Sequence, residues 1–175
     1  MSEHLDFLLP VELVDLARRV IEENRAAGRR VAVAESCTGG LVAAALTEIA
    51  GSSDVFEAGF VTYSNEAKTK LLHVSDDVIE TFGSVSVATA WAMAQGALAA
   101  SDADVAVALT GIAGPAGGSD RKPVGTVVFA RADKHADPRE ITADTQKFED
   151  NGRGGVRLQA ALCALALLLP DAPAP

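Results

Sequence analysis

The chain of 175 residues is poor in histidine and cysteine, the side chains that hold transition metals or build disulfide frameworks. It contains only three histidines and two cysteines, Cys37 and Cys163, which lie far apart in the sequence. Two distant cysteines form neither a metal-ligand pattern nor a disulfide framework. The sequence therefore predicts no metal site and a reducing, cytoplasmic location.

Long apolar runs and a surplus of basic residues are also missing. The longest apolar run, 160–169, is too short to span a bilayer. The N-terminus carries Glu3 and Asp6, unlike the basic flank of a signal peptide. The formal net charge is −9, whereas nucleic-acid binding requires a basic surface. We expect neither a membrane nor a nucleic-acid partner, and an anionic substrate would need a local cluster of basic or backbone N–H groups.

Apolar strands that alternate with helical segments predict the fold. Strands are predicted at 30–35, 56–63, 104–110, 125–130 and 140–148. Helices are predicted at 10–27, 39–50, 86–100 and 153–169, with short ones near 65–72 and 75–82. Asn65 is the predicted cap of the first short helix, and 132–138 is a predicted exposed linker. This order indicates an α/β protein, a three-layer α/β/α sandwich with a mixed, mostly parallel sheet of about five strands. We expect a single domain over residues 1–170 and a disordered tail at 171–175.

The most informative segment, 34–40, reads Ala-Glu-Ser-Cys-Thr-Gly-Gly and lies between a predicted buried strand and a predicted helix. Ser36 at this junction would lie beside the unpaired N–H groups of a helix N-terminus, which favour developing negative charge. The same position also suits a simple helix cap. The choice between a nucleophile and a cap depends on whether the fold supplies a base for Ser36.

Sites in open α/β sheets form outside the carboxyl ends of the strands, so we expect Ser36, residues 63–68 and residues 110–118 to meet at one edge of the sheet. Lysine is the base that the sequence offers at this edge. Lys68 follows the second strand, with Tyr63 five residues before it, and burial can lower the pKa of a lysine enough to leave neutral amine. Alternatively, Lys68 is a solvated helix charge and Tyr63 a strand-end aromatic residue. Cys37 competes for the role of nucleophile, because a helix N-terminus can also activate a thiol.

A glycine-rich segment, 110–118, follows the third predicted strand. Glycines allow backbone N–H groups to approach an anion closely, although the segment matches no dinucleotide or triphosphate motif. It is either a flexible loop or a wall of the substrate site. Two pairs of basic residues could face a phosphate or only water: Arg121 with Lys122, and Arg153 with Arg157.

Five motifs occur together in one order: AESCTGG at 34–40, GFVTYSNEAK at 59–68, VS at 85–86, GIAGP at 111–115 followed by GG at 117–118, and KPVGTV at 122–127. With them, the chain resembles the CinA C-terminal domain family, the nicotinamide-nucleotide amidohydrolases, in its stand-alone form. The resemblance implies hydrolysis of nicotinamide mononucleotide (NMN) to nicotinate mononucleotide and ammonia by a Ser/Lys mechanism without a cofactor. A non-catalytic nucleotide-binding module of the same fold is the alternative.

By the same resemblance, Ser36 is the nucleophile, Lys68 the general base and Tyr63 its assistant. The expected substrate-binding residues are Cys37, Thr38, Gly39, Thr110, Gly111, Gly114, Gly117, Gly118 and Arg153. The small-molecule nucleotide NMN is the expected partner, and we also expect a homo-oligomer, because most soluble oligomers are assemblies of identical chains.

Overall fold

The computed structural model describes residues 6–137, 139–149, 151–172 and 175, and in these residues it contains five strands and six α-helices. The strands are β1 (Val31–Glu35), β2 (Phe56–Val61), β3 (Val105–Gly111), β4 (Thr126–Asp133) and β5 (Ala143–Lys147). The helices are α1 (Val11–Ala26), α2 (Leu41–Thr47), α3 (Asn65–Leu72), α4 (Asp76–Phe82), α5 (Val87–Ala99) and α6 (Gly152–Leu167), with a short 3-10 helix at Ser52–Asp54.

The five strands form one mixed sheet in the order β2-β1-β3-β4-β5. β1 pairs in parallel with β2 and with β3, whereas β4 is antiparallel to both β3 and β5. Four strands therefore point the same way and β4 alone is reversed. This arrangement confirms the predicted α/β class and the mixed, mostly parallel sheet.

Helices cover both faces of the sheet, because successive residues of a strand point to opposite faces. The larger residues of the central strands, such as Val33, Val107 and Phe129, pack in one cluster with residues of α1, α2 and α6. The alternate residues of these strands are mostly alanines, such as Ala34 and Ala108, and they pack in a second cluster with residues of α3, α4 and α5. The result is three layers, with an apolar core on each side of the sheet.

Two local predictions are wrong for identifiable reasons. The second helix begins at Leu41 instead of residue 39, because Gly39 and Gly40 adopt left-handed conformations with φ of 61° and 96°. The third helix is capped by Ser64, whose hydroxyl accepts from the amide of Ala67, and not by Asn65, which is already helical.

The predicted linker at 132–138 is shorter than expected, because β4 continues to Asp133. Ala132 still pairs with Ala106 of β3, so the sheet extends into the segment that its polarity assigned to a linker. Pro138, Asp150 and residues 173–174 lie outside the described residues, so the disordered tail at 171–175 stays a prediction. The single domain and the homo-oligomer also stay predictions. Within the described chain, no helix combines the length and the apolar character needed to span a bilayer.

The loop between β3 and β4 is closed at its base. The Ile112 amide donates to the Thr126 carbonyl at 2.8 Å, and the Gly125 amide donates to the Ile112 carbonyl at 2.9 Å. Residues 113–124 therefore leave the sheet and return to it at one point. This loop and the carboxyl ends of β1 and β2 lie at the same edge of the sheet, where ligand sites of open α/β sheets form.

Candidate active site

A cavity of about 220 Å³ lies at this edge of the sheet. It is lined by Ser36, Cys37, Tyr63, Asn65, Lys68, Ser84, Val85, Thr110, Gly111, Ala113 and Arg153. The three segments that the sequence predicted to meet do lie together there. Among the described residues, no group of three or more histidine, cysteine or acidic side chains is arranged to hold a metal.

Ser36 and Lys68 are in direct contact. The Lys68 ammonium nitrogen Nζ lies 3.2 Å from Ser36 Oγ and donates to the Thr62 carbonyl at 3.0 Å. The Lys68 side chain is almost completely buried, with 1% of the residue exposed, so Lys68 is not a solvated helix charge. A serine within hydrogen-bond reach of a buried amine is the arrangement that activates a hydroxyl as a nucleophile.

Burial lowers the pKa of Lys68 below its ordinary value, because desolvation disfavours the charged ammonium, and the nearby Cys37 opposes the shift weakly. Within the described residues, Lys68 forms no ion pair with a carboxylate that would restore the charged form. A larger fraction of neutral amine is therefore present near neutral pH, which is the form that accepts a proton.

Local structure fixes both partners in place. The Ser36 amide donates to the Leu109 carbonyl of β3, so the backbone of Ser36 is anchored to the end of the sheet. Lys68 is positioned by the packing of α3 on α5, where a Cβ atom at Gly96 of α5 would overlap the Leu72 carbonyl oxygen of α3. Glycine at this position lets the end of α3 approach α5 closely, and α3 carries Lys68.

Glu35 holds the turn that contains Ser36. Its fully buried carboxylate accepts four hydrogen bonds; the donors are Thr38 Oγ1 at 2.6 Å and the amides of Gly40, Val42 and Ala43 at 3.0, 3.2 and 2.8 Å. The N-terminus of α2 is therefore occupied by Glu35. Sequence reasoning assigned no role to this residue, although an acidic side chain directly before a strand-to-helix turn is a signal for such a cap.

Glu35→Gln is expected to lower the free energy of unfolding by about 1–3 kcal/mol, because an amide NH₂ would face N–H donors that need an acceptor. Urea denaturation of the variant measures the loss. Glu66→Gln, which changes an exposed glutamate in the first turn of α3, is the matched control and should unfold as the wild type does. Equal denaturation midpoints for the two variants would contradict the capping role.

Cys37 lies in the same cavity but is poorly suited to be the nucleophile. Burial raises the pKa of its thiol to about 11, and the nearby Glu35 carboxylate acts in the same direction. The thiol is therefore protonated at neutral pH. Its side chain also belongs to the core cluster on the α2 face, which favours a packing role.

Cys37→Ala is expected to retain activity within about tenfold of the wild type, because the nucleophilic form of a thiol is the thiolate. Initial rates of NMN hydrolysis, the reaction expected from the sequence, and iodoacetamide labelling at pH 7.5 test this. Labelling of Cys37 should be slow in the native protein. Cys163→Ala provides the control, since burial also raises the pKa of Cys163 to about 11. An inactive Cys37→Ala beside an active Cys163→Ala would instead assign the chemistry to Cys37.

Tyr63 and Arg153 form the outer rim of the cavity. Arg153 donates to the Tyr63 hydroxyl at 2.7 Å and to the Gly114 carbonyl at 2.9 Å, so its guanidinium bridges the end of β2 and the loop after β3. Tyr63 is 59% exposed, and the hydrogen bond of its hydroxyl is to Arg153 and not to Lys68. The sequence predicted both residues at the site but not this contact.

The other predicted binding residues divide into three groups, of which one, Gly114 and Gly117, lines an adjoining cavity. Thr110 and Gly111 line the cavity of Ser36, and the Thr110 hydroxyl donates to the Ser84 carbonyl at 2.8 Å. Thr38, Gly39 and Gly118 line neither cavity. The side chain of Thr38 binds Glu35, and a Cβ at Gly118 would lie 2.9 Å from the Val124 amide nitrogen.

Comparison with known proteins shows which proteins the chain is similar to. A sequence model for the family described as the CinA C-terminal domain matches residues 13–171. The chain is 54% identical over 147 residues to a protein from Enterobacter agglomerans named nicotinamide-nucleotide amidohydrolase PncC, with 84% of this chain and 87% of that one covered. It is also 48% identical to a CinA-like protein from Syntrophobacter fumaroxidans, with 87% of this chain covered, but it spans only 35% of that relative's length.

The fold is also similar to that of solved structures. The crystal structure of the competence/damage inducible protein CihA from Agrobacterium tumefaciens superposes with a TM-score of 0.87 at 48% sequence identity. The match covers 92% of this chain and 96% of that one. Sequence and structure therefore assign the chain to the same group of proteins.

Proposed function

This chain belongs to the CinA C-terminal domain family, and we propose that it hydrolyses the carboxamide of NMN to nicotinate mononucleotide and ammonia. The activity follows the printed name of the relative from Enterobacter agglomerans, which is 54% identical. The observation that carries the proposal is the contact of 3.2 Å between Ser36 Oγ and the buried Lys68 Nζ. A hydroxyl paired with a neutral amine performs acyl transfer without a metal.

The first half of the proposed reaction forms an acyl-enzyme. Neutral Lys68 accepts the proton of Ser36 while Oγ bonds to the carboxamide carbon, and the carbonyl oxygen becomes an oxyanion. Protonated Lys68 then gives this proton to the leaving nitrogen as the C–N bond breaks, so ammonia departs and the lysine is neutral again. The acyl group remains on Ser36 as an ester.

The second half uses water in the same way. Lys68 takes a proton from water as its oxygen attacks the ester carbon, and it returns that proton to Ser36 Oγ when the C–O bond breaks. The carboxylic acid product loses its remaining proton to solvent and dissociates as the carboxylate. One lysine therefore acts in both halves as base and then as acid.

Backbone donors for the oxyanion are available beside the nucleophile. Within the described residues, no oxygen accepts from the amides of Cys37 and Thr38, which directly follow Ser36. Cys37 lines the cavity and Thr38 does not, so we propose that the Cys37 N–H group stabilises the oxyanion. Each donor of this kind typically contributes about 3–4 kcal/mol to the transition state.

A purified sample tests the proposal by release of ammonia from NMN, with nicotinate mononucleotide identified as the second product by chromatography. Both products should form in equal amounts without added metal or cofactor. Saturable NMN binding with no product would overturn the proposal in favour of a nucleotide-binding module. Faster hydrolysis of simple esters than of NMN would point to a different hydrolase.

The proposal includes a cytoplasmic location. Both cysteines are free thiols, and Cys37 lies in the cavity of the nucleophile. A reducing compartment keeps such thiols unmodified.

A further inference from the structure

A second cavity, of about 440 Å³, adjoins the cavity of the nucleophile. The two share a wall formed by Ser84, Val85, Gly111, Ala113 and Arg153. The second cavity alone is within the range of about 300–1,000 Å³ that is typical of small-molecule sites. A substrate that reaches Ser36 with one end can therefore extend into this space with the other.

The lining of the second cavity carries positive charge and no acidic side chain. Lys122 and Arg153 are its two cations, and Ser119 adds a hydroxyl. This cavity contrasts with the chain as a whole, whose formal net charge is −9. A cavity whose only charged side chains are cationic, on a protein that is acidic as a whole, favours an anionic group.

Lys122 is held in a fixed position with one donor left over. Its Nζ donates to the Val85 carbonyl at 2.7 Å and lies 3.4 Å from the Phe82 carbonyl. Its backbone is fixed by Ser119, because the Lys122 amide donates to the Ser119 hydroxyl and the Ser119 amide donates to the Lys122 carbonyl. An ammonium has three N–H donors, so one remains for a ligand, and no carboxylate among the described residues pairs with this charge.

The structure distinguishes between the basic residues that the sequence left open. Arg121 is exposed and lines neither cavity, although it is the neighbour of Lys122. Arg157 also lines neither cavity and donates to the Thr38 carbonyl at 2.8 Å. Arg153 lies on the shared wall and is bound to Tyr63 and Gly114.

We infer that Lys122 determines substrate specificity by binding the phosphate of a mononucleotide substrate in the second cavity while the carboxamide lies at Ser36. The inference rests on the proposed function and deepens it. It assigns the chemistry to Ser36 and Lys68, and the preference for a phosphorylated substrate to Lys122.

The experiment compares Lys122→Gln with Arg121→Gln, which removes the same charge one residue away. Each variant is assayed with NMN and with nicotinamide riboside, which carries the same carboxamide and no phosphate. Lys122→Gln should raise KM for NMN about 10- to 100-fold, the loss expected for one charge-assisted hydrogen bond. It should change kcat little and leave kcat/KM for nicotinamide riboside unchanged, and Arg121→Gln should behave as the wild type with both substrates.

Ribose 5-phosphate gives a readout that does not require turnover. Its dissociation constant, measured by calorimetry, should rise in Lys122→Gln by the same factor as KM for NMN and should recover largely in Lys122→Arg. Equal losses with NMN and nicotinamide riboside, or an unchanged affinity for ribose 5-phosphate, would overturn the inference. A wild type that binds ribose 5-phosphate through Lys122 but hydrolyses neither amide would instead overturn the proposed function alone.

Discussion

Ser36→Ala is expected to lower the rate of ammonia release from NMN by about 10⁴-fold or more, because loss of a catalytic nucleophile removes the covalent pathway altogether. NMN should still bind, since Ser36 is small and the rest of the cavity is unchanged. Steady-state kinetics with NMN measure the loss, and calorimetry measures the binding. The wild-type fold is expected to persist, because the Ser36 contact to the sheet is made by its amide and not by its hydroxyl.

Ser101→Ala is a matched control for this prediction. Ser101 lies before β3, at the end of the sheet away from the cavity, and its hydroxyl donates to the Ala97 carbonyl. The control should retain wild-type turnover. A Ser36→Ala rate within tenfold of the wild type would show that the acyl-enzyme forms elsewhere.

Lys68→Met is expected to lower kcat by about 10²–10⁴-fold, the usual contribution of a general base. Methionine has a similar length and no basic nitrogen, so it removes the proton acceptor of Ser36 while filling the same space. The wild-type rate should increase with pH as Lys68 loses its proton, and this limb should lie below pH 10.5, because burial lowers the pKa of Lys68 from 10.5. The limb should be missing from the residual rate of the variant.

The same substitution should stabilise the fold. A buried ammonium costs on the order of 1–3 kcal/mol when its hydrogen bonds do not replace its hydration fully, and methionine carries no charge. The pKa of Lys68 is lower in the folded chain, so the unfolded chain binds more protons between the folded pKa and 10.5. The free energy of unfolding of the wild type should therefore rise with pH across this interval, and the advantage of Lys68→Met should shrink.

Two features keep this stability prediction testable. Cys37 and Cys163 have pKa values raised from 9.0 to about 11, which lowers stability above pH 9. Because Cys37 also interacts electrostatically with Lys68, wild type and variant are compared below pH 9, where both thiols stay protonated. Lys70→Met removes an exposed charge from the same helix and should change neither kcat nor the pH dependence. A Lys68→Met protein that is less stable than the wild type at pH 7 would contradict the cost assigned to the buried ammonium.

The sequence predicted the meeting of Ser36 and Lys68 because it depends on a general rule. The carboxyl ends of parallel strands lie at one edge of a sheet, so residues at the ends of the predicted strands 30–35 and 56–63 come together there. The rule also placed Thr110 and Gly111 at the cavity. Burial of Lys68 and its distance from Ser36 required the packing of α3 on α5, which no local pattern specifies.

Other features of the site depend on contacts between distant segments. Arg153 reaches Tyr63, which lies 90 residues earlier, because the start of α6 and the end of β2 both border the cavity. Lys122 differs from its neighbour Arg121 in that its side chain turns toward the Phe82 and Val85 carbonyls. Adjacent residues of equal charge in a loop cannot be distinguished by composition or periodicity.

Because the loop between β3 and β4 is closed at its base, sequence changes within the loop and sequence changes in the sheet around Ser36 affect different parts of the site. Ser36 is fixed by the sheet, whereas residues 113–124 lie beyond the hydrogen bonds of Ile112 to Thr126 and of Gly125 to Ile112. Insertions, deletions and substitutions within this excursion can alter the second cavity while the register of the strands and the distance from Ser36 to Lys68 stay the same. The loop and the pair of Ser36 and Lys68 can therefore diverge independently between copies of such a gene, because the hydrogen bonds of Ile112 isolate one from the other.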